Sequence, residues 1–204
     1  MNQQKIKPWL DGTDGFEHVQ TAHFFDLAAD EIVFCINTLK RIDMDGLRPK
    51  PDFIQSMNFV AGFIPDNSTM MSQEKLVKKI ETFFNTKINV FWIPAKDEGD
   101  DEALGIQHEY DPPLIAKTNL NIENFNAIRS GMMQWRNGSF YCLSQQHQFF
   151  ILFVDGYYSI LAGKQEFVAS ILGSGYLSSW HHVIENIGVD PLQLPKLRAF
   201  LSSF

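Results

Sequence analysis

The sequence predicts an α+β protein: an antiparallel four-stranded meander in the C-terminal half covered by helices, and a helix-rich N-terminal part. Three observations carry this. Asn137-Gly138 and Asp155-Gly156 are each the dipeptide that a two-residue type I′ hairpin turn requires, because both central residues need positive φ. Apolar and aromatic runs flank both turns, and Gln145-Gln146-His147 supplies a third connection, which gives strands over 132–136, 139–144, 148–154 and 157–162. Outside this segment the apolar residues recur mainly at helical spacing.

The N-terminal part opens with Thr13-Asp14-Gly15-Phe16-Glu17, where Asp14 can cap a helix and Glu17 can return a carboxylate to it. Phe16, Val19, His23 and Leu27 continue that helix at the right spacing. Residues 32–36 are contiguously apolar and fit either a buried strand or the continuation of the helix, with helix through Arg41 the favoured reading. Residues 43–53, with Asp, Gly and two Pro, mark a loop, and Pro65-Asp66-Asn67-Ser68 marks another. Ser72 is an N-cap for an amphipathic helix with Leu76, Val77, Ile80, Phe83 and Phe84 on one face, and Asn85 can end it in a left-handed cap. Residues 88–93 read as a strand, and a short helix begins near Asn121 or Asn124.

Within the meander, Phe149 to Val154 do not alternate with polar residues, so that strand should be covered on both faces. After Gly163, Phe167, Val168, Ile171 and Leu172 mark a helix that stops at Gly173. Leu177, Trp180, Ile184 and Ile187 mark another that stops at Gly188, and Leu197, Phe200, Leu201 and Phe204 mark a last one. A chain of 204 residues, 45% hydrophobic and with 18 Phe, can bury a sizeable core and is not disordered throughout. One domain over 1–204 is expected, with lobes at 1–113 and 114–204 as its natural subdivision.

Charge divides the chain more sharply than hydropathy does. The formal net charge is −7. Asp97, Glu98, Asp100, Asp101, Glu102, Glu109 and Asp111 lie together with no Lys or Arg between them, so this stretch carries the whole surplus. Such a block is either a solvated loop or a docking surface that attracts a cationic partner. An acidic chain lacks the basic footprint of a nucleic-acid or anionic-membrane binder. The N-terminus has no apolar signal-like run, and the longest apolar run is far below the ~20 residues that span a bilayer, so a cytoplasmic protein without a membrane segment is expected. Cys35 and Cys142 are isolated and in apolar contexts, which suits buried thiols better than a disulfide or zinc framework.

Motifs that carry chemistry are few. His181, His182 and Glu185 fall at neighbouring positions of one helix surface and could bind a divalent metal or exchange protons. They lack a third ligand at motif spacing, so an ordinary His–Glu contact is the plainer alternative. Asp11 to Gly15 and Asp43 to Gly46 each resemble half a calcium loop, but Ala22 and Ile54 stand where the closing Glu belongs. Gly173-Ser174-Gly175 sits between helices and is no nucleophile elbow. Residues 165–187 hold no Lys or Arg with which a helix-turn-helix could meet phosphates. No Walker loop, dinucleotide-binding glycine pattern or Cys-x-x-Cys is present, and no cofactor or metal is expected.

Tyr157-Tyr158-Ser159-Ile160-Leu161-Ala162-Gly163 followed by Lys164-Gln165-Glu166-Phe167-Val168 resembles the strand–Gly–helix passage of small cytosolic immunity proteins that neutralise bacterial polymorphic toxins. The likeness covers residues 139–173. It implies a non-catalytic α+β protein that binds a toxin tightly, many such toxins being basic nucleases. The expected function is therefore a protein-binding module of immunity type, with Asp97, Glu98, Asp100, Asp101, Glu102, Glu109 and Asp111 facing a cationic protein partner. The alternatives are an enzyme or small-molecule binder with a site assembled from distant residues, His181, His182 and Glu185 among them, and an assembly component whose exposed aromatics make an oligomer.

Overall fold

The computed structural model describes residues 25–42, 48–66, 71–95, 115–135, 139–154, 156–176, 184 and 191–204. Along them the elements are α1 (Ala29–Ile42), α2 (Pro51–Ser56), β1 (Val60–Pro65), α3 (Gln73–Phe84), β2 (Asn89–Pro94) and β3 (Ala116–Asn119). They continue with α4 (Ile122–Trp135), β4 (Ser139–Ser144), β5 (Phe149–Val154), β6 (Tyr158–Gly163), α5 (Gln165–Leu172) and α6 (Leu194–Leu201). The strands make one antiparallel sheet of six in the order β1-β6-β5-β4-β2-β3. It draws β1 and β2 from the N-terminal part and the other four from the C-terminal part.

Pleating sends alternate side chains of each strand to opposite faces, and both faces are covered. Phe150, Leu152 and Val154 of β5 join a first core with Phe53, Phe63, Phe91, Tyr141 and Ile160, over which lie α1, α2 and α6. Phe149, Ile151 and Phe153 join a second core with Trp92, Phe125, Phe140 and Leu161, covered by α3, α4 and α5. Double coverage is why Phe149 to Val154 show no polar alternation. Every residue of β4, β5 and β6 is buried.

Locally encoded elements form where the sequence places them. Ser72 Oγ accepts the Lys75 amide at the start of α3, and Asn85, at φ 50°, ends it in the left-handed region. Residues 32–36 are helical, within α1, but residues 25–28 are not, so α1 is a separate helix and not the continuation of one begun at Asp14. Its start is set by Glu31, whose carboxylate accepts the Ala28 amide three residues back, as in a capping box. The segment around Asp14 lies outside the described residues.

Three expectations are corrected. Residues 132–135, expected as the first meander strand, are the last turn of α4. Asn121 Oδ1 accepts the Asn124 amide and starts this helix, and the good helix formers Met132, Met133 and Gln134 let it run on. The place beside β4 is taken instead by β2, with Trp92 opposite Cys142 and Ile93 opposite Tyr141. Asn137-Gly138 lies outside the described residues, and since a helix precedes it, it connects a helix to β4. Within the loop expected over 43–53, Pro51 opens α2, where its missing N–H costs nothing. The meander of four becomes a sheet of six because β1 and β3 join it. Gly62 lies in the middle of β1, and a Cβ there would collide with Leu172 Cδ1 of α5 and come within 3.2 Å of Val168 Cγ1. The glycine that interrupts the strand pattern is what lets α5 approach the sheet.

Candidate interaction site

The register places the acidic stretch relative to the sheet. Tyr158 pairs with Pro65 and Val154, Ser139 with Val154, and Phe140 with Pro94, so these residues share one end of the sheet. β2 and β3 are paired antiparallel as far as Trp92 opposite Ala116, so the connection over 93–115 leaves and returns at this same end. Both of its feet are fixed. Ile93, Ala95 and Ile115 belong to the first core, and the Ala95 amide bonds the Ser139 carbonyl at 3.0 Å. Adjacent antiparallel strands need only about two to five residues to connect, and far longer connections are usually functional. Asp97, Glu98, Asp100, Asp101, Glu102, Glu109 and Asp111 all fall inside this connection and outside the described residues. The same end carries the β5–β6 turn, where Asp66 Oδ2 accepts the Gly156 amide at 3.1 Å and Tyr157 is exposed.

His181, His182 and Glu185 also lie outside the described residues. Of their neighbours Ile184 is described, and it is buried in the first core.

The opposite end of the sheet holds a polar cluster that the sequence did not disclose. Glu31 Oε1 accepts Lys117 Nζ at 2.6 Å and Gln145 Nε2 at 2.7 Å, while its Oε2 takes the Ala28 amide at 3.0 Å. Gln145 Oε1 in turn accepts Asn89 Nδ2 at 3.1 Å. The Lys117 and Glu31 side chains are only 13% and 11% exposed, so this pair is shielded from solvent far more than an ordinary surface pair. The carboxylate has donors on both oxygens, which suits holding α1 to the sheet better than proton transfer. Its members are up to 114 residues apart in the chain and share no motif.

Neither thiol is poised as a nucleophile. Burial, with the Glu31 charge adding to it, pushes Cys35 up to about 12, and burial raises Cys142 well above its ordinary value. Among the described residues no group of three or more His, Cys, Asp or Glu side chains is placed to hold a metal ion, and no helix is long and apolar enough to cross a membrane. No protein-family model, curated protein or solved structure matches this chain.

Proposed function

We propose that the chain is a non-catalytic protein-binding module acting in the cytoplasm, an inhibitor of immunity type that neutralises a basic toxin by direct binding. The observation that carries this reading is the acidic connection between β2 and β3, far longer than the strands need and anchored at both feet in the core. Anchored feet limit the conformations open to the acids between them and reduce the ordering cost of binding. Seven carboxylates without an intervening Lys or Arg attract a cationic surface from a distance and accelerate encounter.

Capture of partners from the native cell, followed by association kinetics at several salt concentrations, tests the reading. Replacing Asp97, Glu98, Asp100, Asp101 and Glu102 by their amides should slow association and flatten its salt dependence, with little change in dissociation. A captured partner that binds the amide variant with the same rate and salt dependence would remove the acidic surface from the interface.

A further inference from the structure

We propose that the β5–β6 turn carries a clamp for an arginine side chain of the cationic partner, made by the Tyr157 ring and the Asp66 carboxylate. That the arginine belongs to a protein rests on the inhibitor reading; the clamp itself is defined by geometry. Asp66 continues the pairing of β1 with β6, in which Pro65 faces Tyr158 and Ile64 faces Ser159, and its amide bonds the Tyr157 carbonyl at 2.9 Å. Asp66 and Tyr157 are therefore directly opposite each other, with Cβ atoms about 5 Å apart and side chains on one face of the ladder. Three hydrogen bonds fix the backbone between them: this one, the Tyr157 amide to the Val154 carbonyl at 3.1 Å, and the Gly156 amide to Asp66 Oδ2 at 3.1 Å. An exposed tyrosine is ordinary by itself. This one is 44% exposed and no ring or cation packs on it, whereas Phe83, also exposed, leans on Phe84 and Phe167 at 5.1 and 5.2 Å. Asp66 Oδ1 likewise accepts no hydrogen bond. A planar guanidinium fits both groups, its face on the ring and an edge N–H on Oδ1, a pairing that a compact ammonium makes less well. Because the turn is already ordered, closing on the arginine costs little conformational entropy. β2, from which the acidic connection leaves, stands three strand spacings from β6, about 14 Å, so one interface of about 800 Å² on each partner covers both.

N-acetyl-arginine amide, titrated into isotope-labelled protein and followed by nuclear magnetic resonance, tests the clamp without the partner. The Tyr157 ring and the Gly156 amide should shift saturably, with the weak, millimolar-range affinity of one exposed contact pair, and the uncharged N-acetyl-citrulline amide should leave them unmoved. Tyr157→Leu and Asp66→Asn should each weaken binding about two- to fivefold, whereas Tyr157→Phe, which keeps the ring face, should not. An Asn side chain can still accept the Gly156 amide, so the turn survives that change. With amides at positions 97, 98, 100, 101 and 102 the shifts should persist. An equal response to citrulline, full binding by Tyr157→Leu, or loss of the shifts in the five-amide variant would overturn the clamp. None of these outcomes depends on whether a basic protein partner exists. Against such a partner, once captured, Tyr157→Leu should speed dissociation about tenfold or more and leave the salt dependence of association unchanged, the reverse of the five-amide variant. An unchanged dissociation rate would overturn the clamp's place in the interface while leaving the acidic connection in it.

Discussion

At the scale of single residues, two buried hydroxyls with opposite surroundings make opposite predictions. Thr118 Oγ1 accepts the Trp92 indole N–H at 2.7 Å and donates to the Asn119 carbonyl at 2.9 Å. Thr118→Val would strand the indole N–H of a fully buried Trp, which should cost about 1–3 kcal/mol in denaturant unfolding. Ser159 is 1% exposed, and among the described residues its hydroxyl has no hydrogen-bond partner; its neighbours across β6 are Ile64 and Phe153. Ser159→Ala removes a desolvated group that gains nothing in return, so it should leave the unfolding free energy unchanged or raise it. The thiols supply a pH dependence. Cys35 stays protonated in the folded protein up to about 12, whereas an unfolded thiol ionises near its ordinary value of 9. Across that window the unfolded chain holds fewer protons than the folded one, so stability is full below pH 9 and declines as pH rises above it, and the raised Cys142 thiol acts in the same direction. Cys35→Ala should flatten the alkaline limb of a stability–pH curve measured by urea titration.

At the scale of elements, contact between Gly62 of β1 and α5 is open to a direct test. Gly62→Ala drives a methyl group into Leu172 Cδ1, an overpacking that should cost about 1–3 kcal/mol. Pairing it with Leu172→Ala makes room, so the double variant should be more stable than the sum of the two single changes; strict additivity would show that the close approach is not felt. The same glycine shows which elements could be read from sequence. α3 was legible because Ser72 and Asn85 fix its ends locally, and β5 and β6 because apolar runs flank Asp155-Gly156, although Val154 pairs with Tyr158 and so three residues, not two, separate the strands. β1 was not, since Gly62 and Pro65 punctuate it and its pairing is with β6, about a hundred residues away. The polar β3, only four residues long, is a strand because β2 offers it an edge. Residues 132–135 were misread because turn chemistry at Asn137-Gly138 suggested a hairpin, whereas the helix started at Asn121 had not yet ended. For the site, charge alone was enough to single out residues 97–111, but the Glu31 cluster arises only when α1 is laid across β3 and the β4–β5 turn.

At the scale of the whole molecule, the fold separates what holds the chain together from what sets its charge. Apart from residues 97–111 the sequence is neutral, because the acids of that stretch account for the entire net charge of −7. Among the described residues both cores are built from strands and helices outside it, and the register of β2 on β3 is fixed by four residue pairs from Asn89–Asn119 to Trp92–Ala116. Residues 97–113 should therefore be removable. Replacing them with a short Asn-Gly turn between Lys96 and Leu114 shortens the loop several-fold, which lowers its closure cost by about 1 kcal/mol, since each doubling of loop length costs only about 0.6 kcal/mol. The shortened protein should keep the far-UV circular dichroism of a mixed α+β chain and unfold at an equal or higher urea concentration. It should also elute from an anion exchanger at much lower salt. If the proposed function holds, it should lose both rapid capture of the cationic partner and the salt dependence of that capture. Loss of folding would show that the connection belongs to the core. A folded variant that captures the same partner at the same salt-dependent rate would move the interface elsewhere on the molecule.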